Sequence, residues 1–148
     1  MYKRAIQRLC SVFLIACAVA LWPCAANAQS CPGGSDAACK SGCDNTKAMC
    51  LSAAAGAQAA CIATAQWQDQ SCKSQADMDH TQCIQDQCRY GGSYCGMYCD
   101  EQRDMKKAAC DETAYYMTDG CILAGTGAAV GCDAQNNSCH TNCDQECT

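Results

Sequence analysis

The sequence predicts an all-α fold, a long antiparallel helical hairpin cross-linked by a ladder of interhelical disulfides, and three observations predict it. The cysteines on either side of residues 89–94 are mirror images: Cys83, Cys72, Cys61, Cys50, Cys43 and Cys39 before, Cys99, Cys110, Cys121, Cys132, Cys139 and Cys143 after. Paired outward, their residue numbers add to 182 every time, which is what two elements folded back on each other near residue 91 need to set cysteine opposite cysteine. Within each arm the steps are 11, 11, 11, 7 and 4 residues, close to whole helical turns and foreign to the two-residue repeat of a strand.

The chain opens with what reads as a secretory signal peptide over residues 1–28. Lys3, Arg4 and Arg8 precede an apolar run from Leu9 to Trp22, and the small-residue site Ala26-Asn27-Ala28 precedes Gln29. Leu14-Ile15-Ala16-Cys17 offers a lipoprotein cleavage box as the minor alternative. Parity separates the two: cleavage after Ala28 leaves sixteen of the nineteen cysteines, an even number, whereas cleavage before Cys17 leaves an acylated cysteine and an odd set. The expectation is an exported protein, periplasmic or extracellular, where such a density of cysteine persists as disulfide.

Residues 29–148 are expected to form one domain. Six branched aliphatics remain there, Leu51, Ile62, Ile84, Ile122, Leu123 and Val130, too few for a conventional core. Covalent rungs take that place: each further rung closes an increment of eleven residues on either arm, worth about 3 kcal/mol in the chain-entropy model. Fifteen acids against seven bases give residues 29–148 a net charge of −8, which disfavours nucleic acid as a partner.

Arm one is expected over about 36–88. Cys31-Pro32-Gly33-Gly34 is irregular, Ser35 or Asp36 can cap the helix, and no proline interrupts it. Gly91-Gly92 breaks the helix at the tip, residues 89–94, and Ser93 can cap arm two, about 95–147. Off the cysteines, the mirror sets Ala54 against Ala128, Ala57 against Gly125 and Asp79 against Arg103. Disulfides need Cα atoms nearer than usual helix packing brings them, and small residues between rungs permit that approach. The eleven-residue repeat favours straight or right-handed coiling.

A tandem duplication competes with the mirror, since Cys39, Cys50, Cys61, Cys72 and Cys83 recur sixty residues later. The duplication leaves Cys43, Cys139, Cys88 and Cys95 unmatched. The mirror pairs Cys43 with Cys139 and nearly pairs Cys88 with Cys95, and a six-residue turn cannot join parallel helices. Cys31 with Cys147 follows by elimination.

Chemistry is sparse. Neither a CxxC nor a CxxCH motif occurs, so thioredoxin-type exchange, short zinc knuckles and c-type haem are not signalled. The paired Cx3C arrangement of Cys39/Cys43 and Cys139/Cys143 resembles the disulfide spacing of plant α-hairpinins and of twin-cysteine hairpins of the mitochondrial intermembrane space, over those four cysteines alone. Cysteine-lined helices are also similar to bacterial copper-storage bundles, which implies Cu(I) sequestration as an alternative function. Rungs eleven residues apart are ~16 Å apart and cannot share an ion, so no metal or other cofactor is expected. His80 and His140 read as solvated, and no catalytic constellation can be drawn, so no enzymatic activity is expected.

Two features are candidates for recognition. Arg89, Tyr90, Ser93, Tyr94 and Tyr98 give the tip the Tyr/Ser/Gly character of an adaptable binding loop, which could also serve a hairpin-type inhibitor or effector. The belt over 48–68, charge-free, faces 114–135 and could pack rods into a homo-oligomer; its Ala, Gln and Ser make it too polar for a transmembrane span. The sequence thus points to a non-enzymatic structural or interaction protein.

Overall fold

The computed structural model describes residues 35–89 and 94–147. They form two helices of 52 residues, α1 (Asp36–Gln87) and α2 (Cys95–Glu146), and no strand occurs among the described residues. The fold is the disulfide-laddered helical hairpin that the cysteine spacing predicts.

Local chemistry accounts for both helices. Alanine and glutamine recur through them, and the two prolines of the chain, Pro23 and Pro32, lie before α1. Ser35 is the N-cap of α1: its hydroxyl accepts the Ala38 N–H at 3.3 Å and its carbonyl accepts the N–H groups of Ala38 and Cys39. Asp36, in the positive first turn, accepts a 2.8 Å bond from Lys40 one turn on. Threonines fit mid-helix because Thr46, Thr64, Thr81, Thr113 and Thr141 donate their hydroxyls to carbonyls four residues back. At the apex the Cys88 N–H still reaches the Ile84 carbonyl at 3.0 Å, and α2 begins when Tyr98 N–H meets the Tyr94 carbonyl at 3.1 Å. Gly91, Gly92 and the expected cap Ser93 lie outside the described residues.

The chain divides into two compact units. The first contains described residues 35–55 and 126–147, the second Gly56–Gly125. In the first, the buried residues are Cys39, Cys43, Cys132 and Cys143; in the second, Ala65, Ala76, Cys99, Cys110 and Cys121. No larger side chain than cysteine is buried among the described residues. Trp67, Tyr115, Tyr116, Leu123 and Val130 are instead 63–68% exposed. The interior is sulfur and methyl groups, as thin as the aliphatic count requires.

Six rungs join the helices with Cα separations of 5.7–5.9 Å, and a seventh bridge, Cys88–Cys95, closes the apex at 5.4 Å. Such spacings are those of disulfides and closer than ordinary helix packing. The belt glycines divide on this point. A Cβ at Gly125 would sit 2.6 Å from the Gln58 side chain, whereas one at Gly56, Gly127 or Gly131 would meet nothing within 4 Å. Only the first of these four is needed for contact between the arms.

Against the expectation that the belt is too polar for a span, α1 is apolar enough to cross a membrane by length and composition alone: an 18-residue stretch reaches a mean hydropathy of 1.4, with 6% of it buried. Alanine and cysteine supply most of that value in the belt region.

Candidate functional site

The chemistry of this molecule is concentrated on its bridges, and the densest group of them lies in the first unit. Cys39 and Cys43 are one turn apart on α1, as Cys139 and Cys143 are on α2, so each pair projects from one face of its helix. Cys39 is bonded to Cys143 and Cys43 to Cys139. The two bridges stack: Cys43 Sγ lies 3.6 Å from Cys143 Sγ. Both sulfurs are half-cystine and carry no proton, so this is a van der Waals contact rather than a hydrogen bond. The sulfurs of Cys39, Cys43 and Cys143 lie within 4.8 Å of one another, and all three residues are buried.

Elsewhere Cys61–Cys121 and Cys72–Cys110 stand alone, whereas Cys83–Cys99 and Cys88–Cys95 are about one turn apart, Cys95 and Cys99 being four residues from each other. Cys50–Cys132 belongs to the first unit, and Cys61–Cys121, Cys72–Cys110, Cys83–Cys99 and Cys88–Cys95 to the second. These are the partners the mirror assigns. Every cysteine among the described residues, Cys147 included, is half of a disulfide. Cys31, its expected partner, lies outside the described residues.

Ion pairs run beside the rungs. In the first unit Lys40 bridges Asp36 at 2.8 Å and Asp144 at 2.5 Å, and Lys47 meets Asp133 at 2.7 Å. Asp44 takes bonds from Asn136 at 3.2 Å and His140 Nε2 at 2.9 Å, and these donors hold its carboxyl below the usual carboxylate range. In the second unit Lys73 joins Asp69 and Asp111, Lys107 meets Asp77 at 2.6 Å, and His80 Nε2 meets Asp100 at 2.9 Å.

Two sequence expectations need correction. Asp79 does not pair with Arg103: Asp79 is held by Lys106 at 2.8 Å and by Gln75, while Arg103 turns to Asp100 and Asp104 on its own helix. Long flexible cations choose among nearby carboxylates, and opposition on a helical lattice does not select one of them. The histidines are not merely solvated either, since each ring contacts a carboxylate on the opposite helix. A signal for them stands in the sequence: His80-Thr81 precedes Cys83 as His140-Thr141 precedes Cys143, and Lys47-Ala48 precedes Cys50 as Lys107-Ala108 precedes Cys110. The sixty-residue repeat therefore extends beyond the cysteines.

At the tip, Arg89 and Tyr94 are exposed and Tyr98 is half-exposed. Tyr90 and Ser93 lie outside the described residues. Just below, an open groove of about 270 Å³ is lined by Asp79, His80, Tyr98, Arg103 and Lys106 among others. Set against protein-family models, curated proteins and solved structures, the chain matches none of them.

Proposed function

We propose that this protein is a non-enzymatic structural or interaction module of an oxidising compartment, exported by its first 28 residues and held in shape by covalent rungs. One observation carries the reading: nothing larger than cysteine is buried among the described residues, so the bridges are what joins the helices. A module built this way keeps its surface when unfolding stress or proteases would open a small hydrophobic core. It also leaves large apolar side chains outward, with Trp67, Tyr115, Tyr116 and Leu123 available to a protein partner or a second copy.

Storage of Cu(I) along the whole ladder has less support. Soft cations bind thiolates, and the sulfurs of the described rungs are bonded to each other. An intact mass without reductant, taken on chain purified from its own compartment, tests the reading. The expected value is that of residues 29–148 lacking sixteen hydrogens, with circular dichroism that collapses when a phosphine reductant is added. Free thiols carrying copper, or a helical signal indifferent to reduction, would refute it.

A further inference from the structure

We propose that Arg89 is the residue by which this chain inhibits a trypsin-like serine protease, its guanidinium filling a primary pocket that ends in a carboxylate. The cation names the partner. Seven lysines and arginines lie among the described residues, and six of them, Lys40, Lys47, Lys73, Arg103, Lys106 and Lys107, stand in α1 or α2 with an ion pair to aspartate. Arg89 stands outside both helices, is exposed, and alone of the seven has no ion pair among the described residues. A serine protease takes its substrate in non-helical form and selects one side chain by the shape and charge of its pocket. Paired cations on helices are therefore poor sites, and an unpaired arginine at an exposed turn is a good one.

Covalent bracing makes this an inhibitor's site rather than a substrate's. Arg89 follows Cys88 directly, and the Cys88–Cys95 bridge closes the chain on its carboxyl side with Cα atoms 5.4 Å apart. Beneath that bridge the Cys88 N–H reaches the Ile84 carbonyl at 3.0 Å and the Tyr98 N–H reaches the Tyr94 carbonyl at 3.1 Å. Cys83–Cys99 then ties the helices again, with Cys99 buried. Cutting the bond after Arg89 thus releases nothing, because the freed amine stays tethered through residues 90–95 to the bridge that also holds Cys88. Ends linked so closely meet at an effective concentration of the order of mM or above, so religation competes with hydrolysis. A braced segment also loses little further freedom on binding.

The chemistry balances. The protease's serine oxygen attacks the Arg89 carbonyl, the C–N bond to residue 90 breaks, and the departing amine takes the proton that the serine gave up. Return of the tethered amine to the acyl carbon reverses each step and restores the chain. Water in its place leaves a carboxylate on Arg89 and a free amine on residue 90, a nicked chain heavier by one water and still held in one piece by its bridges. The partner proposed here rests on the oxidised ladder of the interaction module.

Trypsin is the probe, added to the full oxidised chain, with elastase, whose pocket is small, as the control. The expected result is inhibition of trypsin but not elastase at one chain per enzyme, with intact chain and chain nicked after Arg89 persisting together at a constant ratio. Arg89→Lys should keep the inhibition, and Arg89→Ala should weaken it by about 100-fold through loss of one partner of a buried charge pair. Cys88→Ser/Cys95→Ser should turn the tip into an ordinary substrate that is cut to completion. The proposal is overturned if the oxidised chain is cut to completion without inhibiting, if it neither inhibits nor is cut after Arg89, or if Arg89→Ala inhibits as well as the parent chain. A mass taken on the same sample without reductant counts the hydrogens lost to bridges. A fully bridged chain that fails to inhibit removes the partner and leaves the module standing, whereas a reduced chain removes both.

Discussion

At positions 43 and 139, in the first unit, stand two cysteines; at the repeat-equivalent positions 103 and 79, in the second, stand an arginine and an aspartate. The cysteines are bonded to each other, whereas the two charges are not paired. Arg103 lies against Asp100 and Asp104 on its own helix, and Asp79 is taken by Lys106. The same lattice position thus yields a defined cross-link when it holds cysteine and a redistributed ion pair when it holds charge. A disulfide is specific because its length and angles admit one partner at a time. An exposed ion pair competes with every neighbouring carboxylate and with water, and contributes little. Register in this hairpin therefore resides in sulfur, and the charges decorate it.

The largest effect should come from removing a rung whose neighbours are far away. Cys61→Ser/Cys121→Ser in the second unit merges two intervals into one unbridged stretch and should cost about 3 kcal/mol in denaturant unfolding. Cys43→Ser/Cys139→Ser in the first unit should cost less, because Cys39–Cys143 lies one turn away. Equal losses would show that the stacked pair is not redundant as a clamp.

The converse substitution sharpens the contrast. Asp79→Cys/Arg103→Cys should give the second unit a stacked pair of its own, beside Cys83–Cys99. An intact mass eighteen hydrogens lower than that of the fully reduced variant, two more than the unmodified chain loses, with a peptide linking 79 to 103, is the expected result. The gain in stability should fall below the loss at the isolated rung, since the new bridge closes only four residues on each arm. Free thiols at both positions would mean that the repeat does not carry bridge geometry with it.

How much of this was readable from sequence follows from the same contrast. Cysteine spacing set out the rungs because disulfide geometry and the 3.6-residue period both leave little slack. The helix bounds came close for similar reasons, with Ser35 capping α1 and no proline within either arm. The polar contacts were not readable. Nothing in spacing distinguishes Lys106 from Arg103 as the partner of Asp79, and the pairing of His140 with Asp44 depends on side-chain rotamers. The role of the belt glycines was only partly legible, because a mirror position identifies what faces what but not how near. The 3.6 Å contact between two bonded pairs was also hidden, though the Cx3C spacing marks where to look for it.

Glycine substitutions convert that point into a measurement of sign. Gly125→Ala should destabilise, because the new methyl would lie 2.6 Å from the Gln58 Cδ and 2.9 Å from its less movable Cβ. Gly127→Ala in the first unit and Gly56→Ala in the second meet open space and should stabilise by about 1 kcal/mol through helix propensity alone. Stabilisation at all three would mean that Gln58 swings aside at no cost and that the arms are not in close contact there.

The smallest effect belongs to the ion pairs, and its sign is set by their titration. Bonds from Asn136 and His140 to Asp44, from Lys107 to Asp77 and from Lys106 to Asp79 lower those carboxyls from 3.8. Their contribution is present above 3.8 and is lost as pH falls through the lower values they hold in the folded chain. Asp144 raises Lys40, Asp133 raises Lys47 and Asp111 raises Lys73 from 10.5, so the lysine contribution is complete below 10.5 and is lost as pH rises through the raised values. Stability should therefore be level between those limits, fall slightly beyond either, and flatten at 1 M salt, where charges are screened within about 3 Å. Unfolding midpoints measured at low and high salt on both sides of 3.8 should show a decline smaller than the glycine effects. A drop comparable to the loss of a rung would return to the charges the share of register assigned here to sulfur.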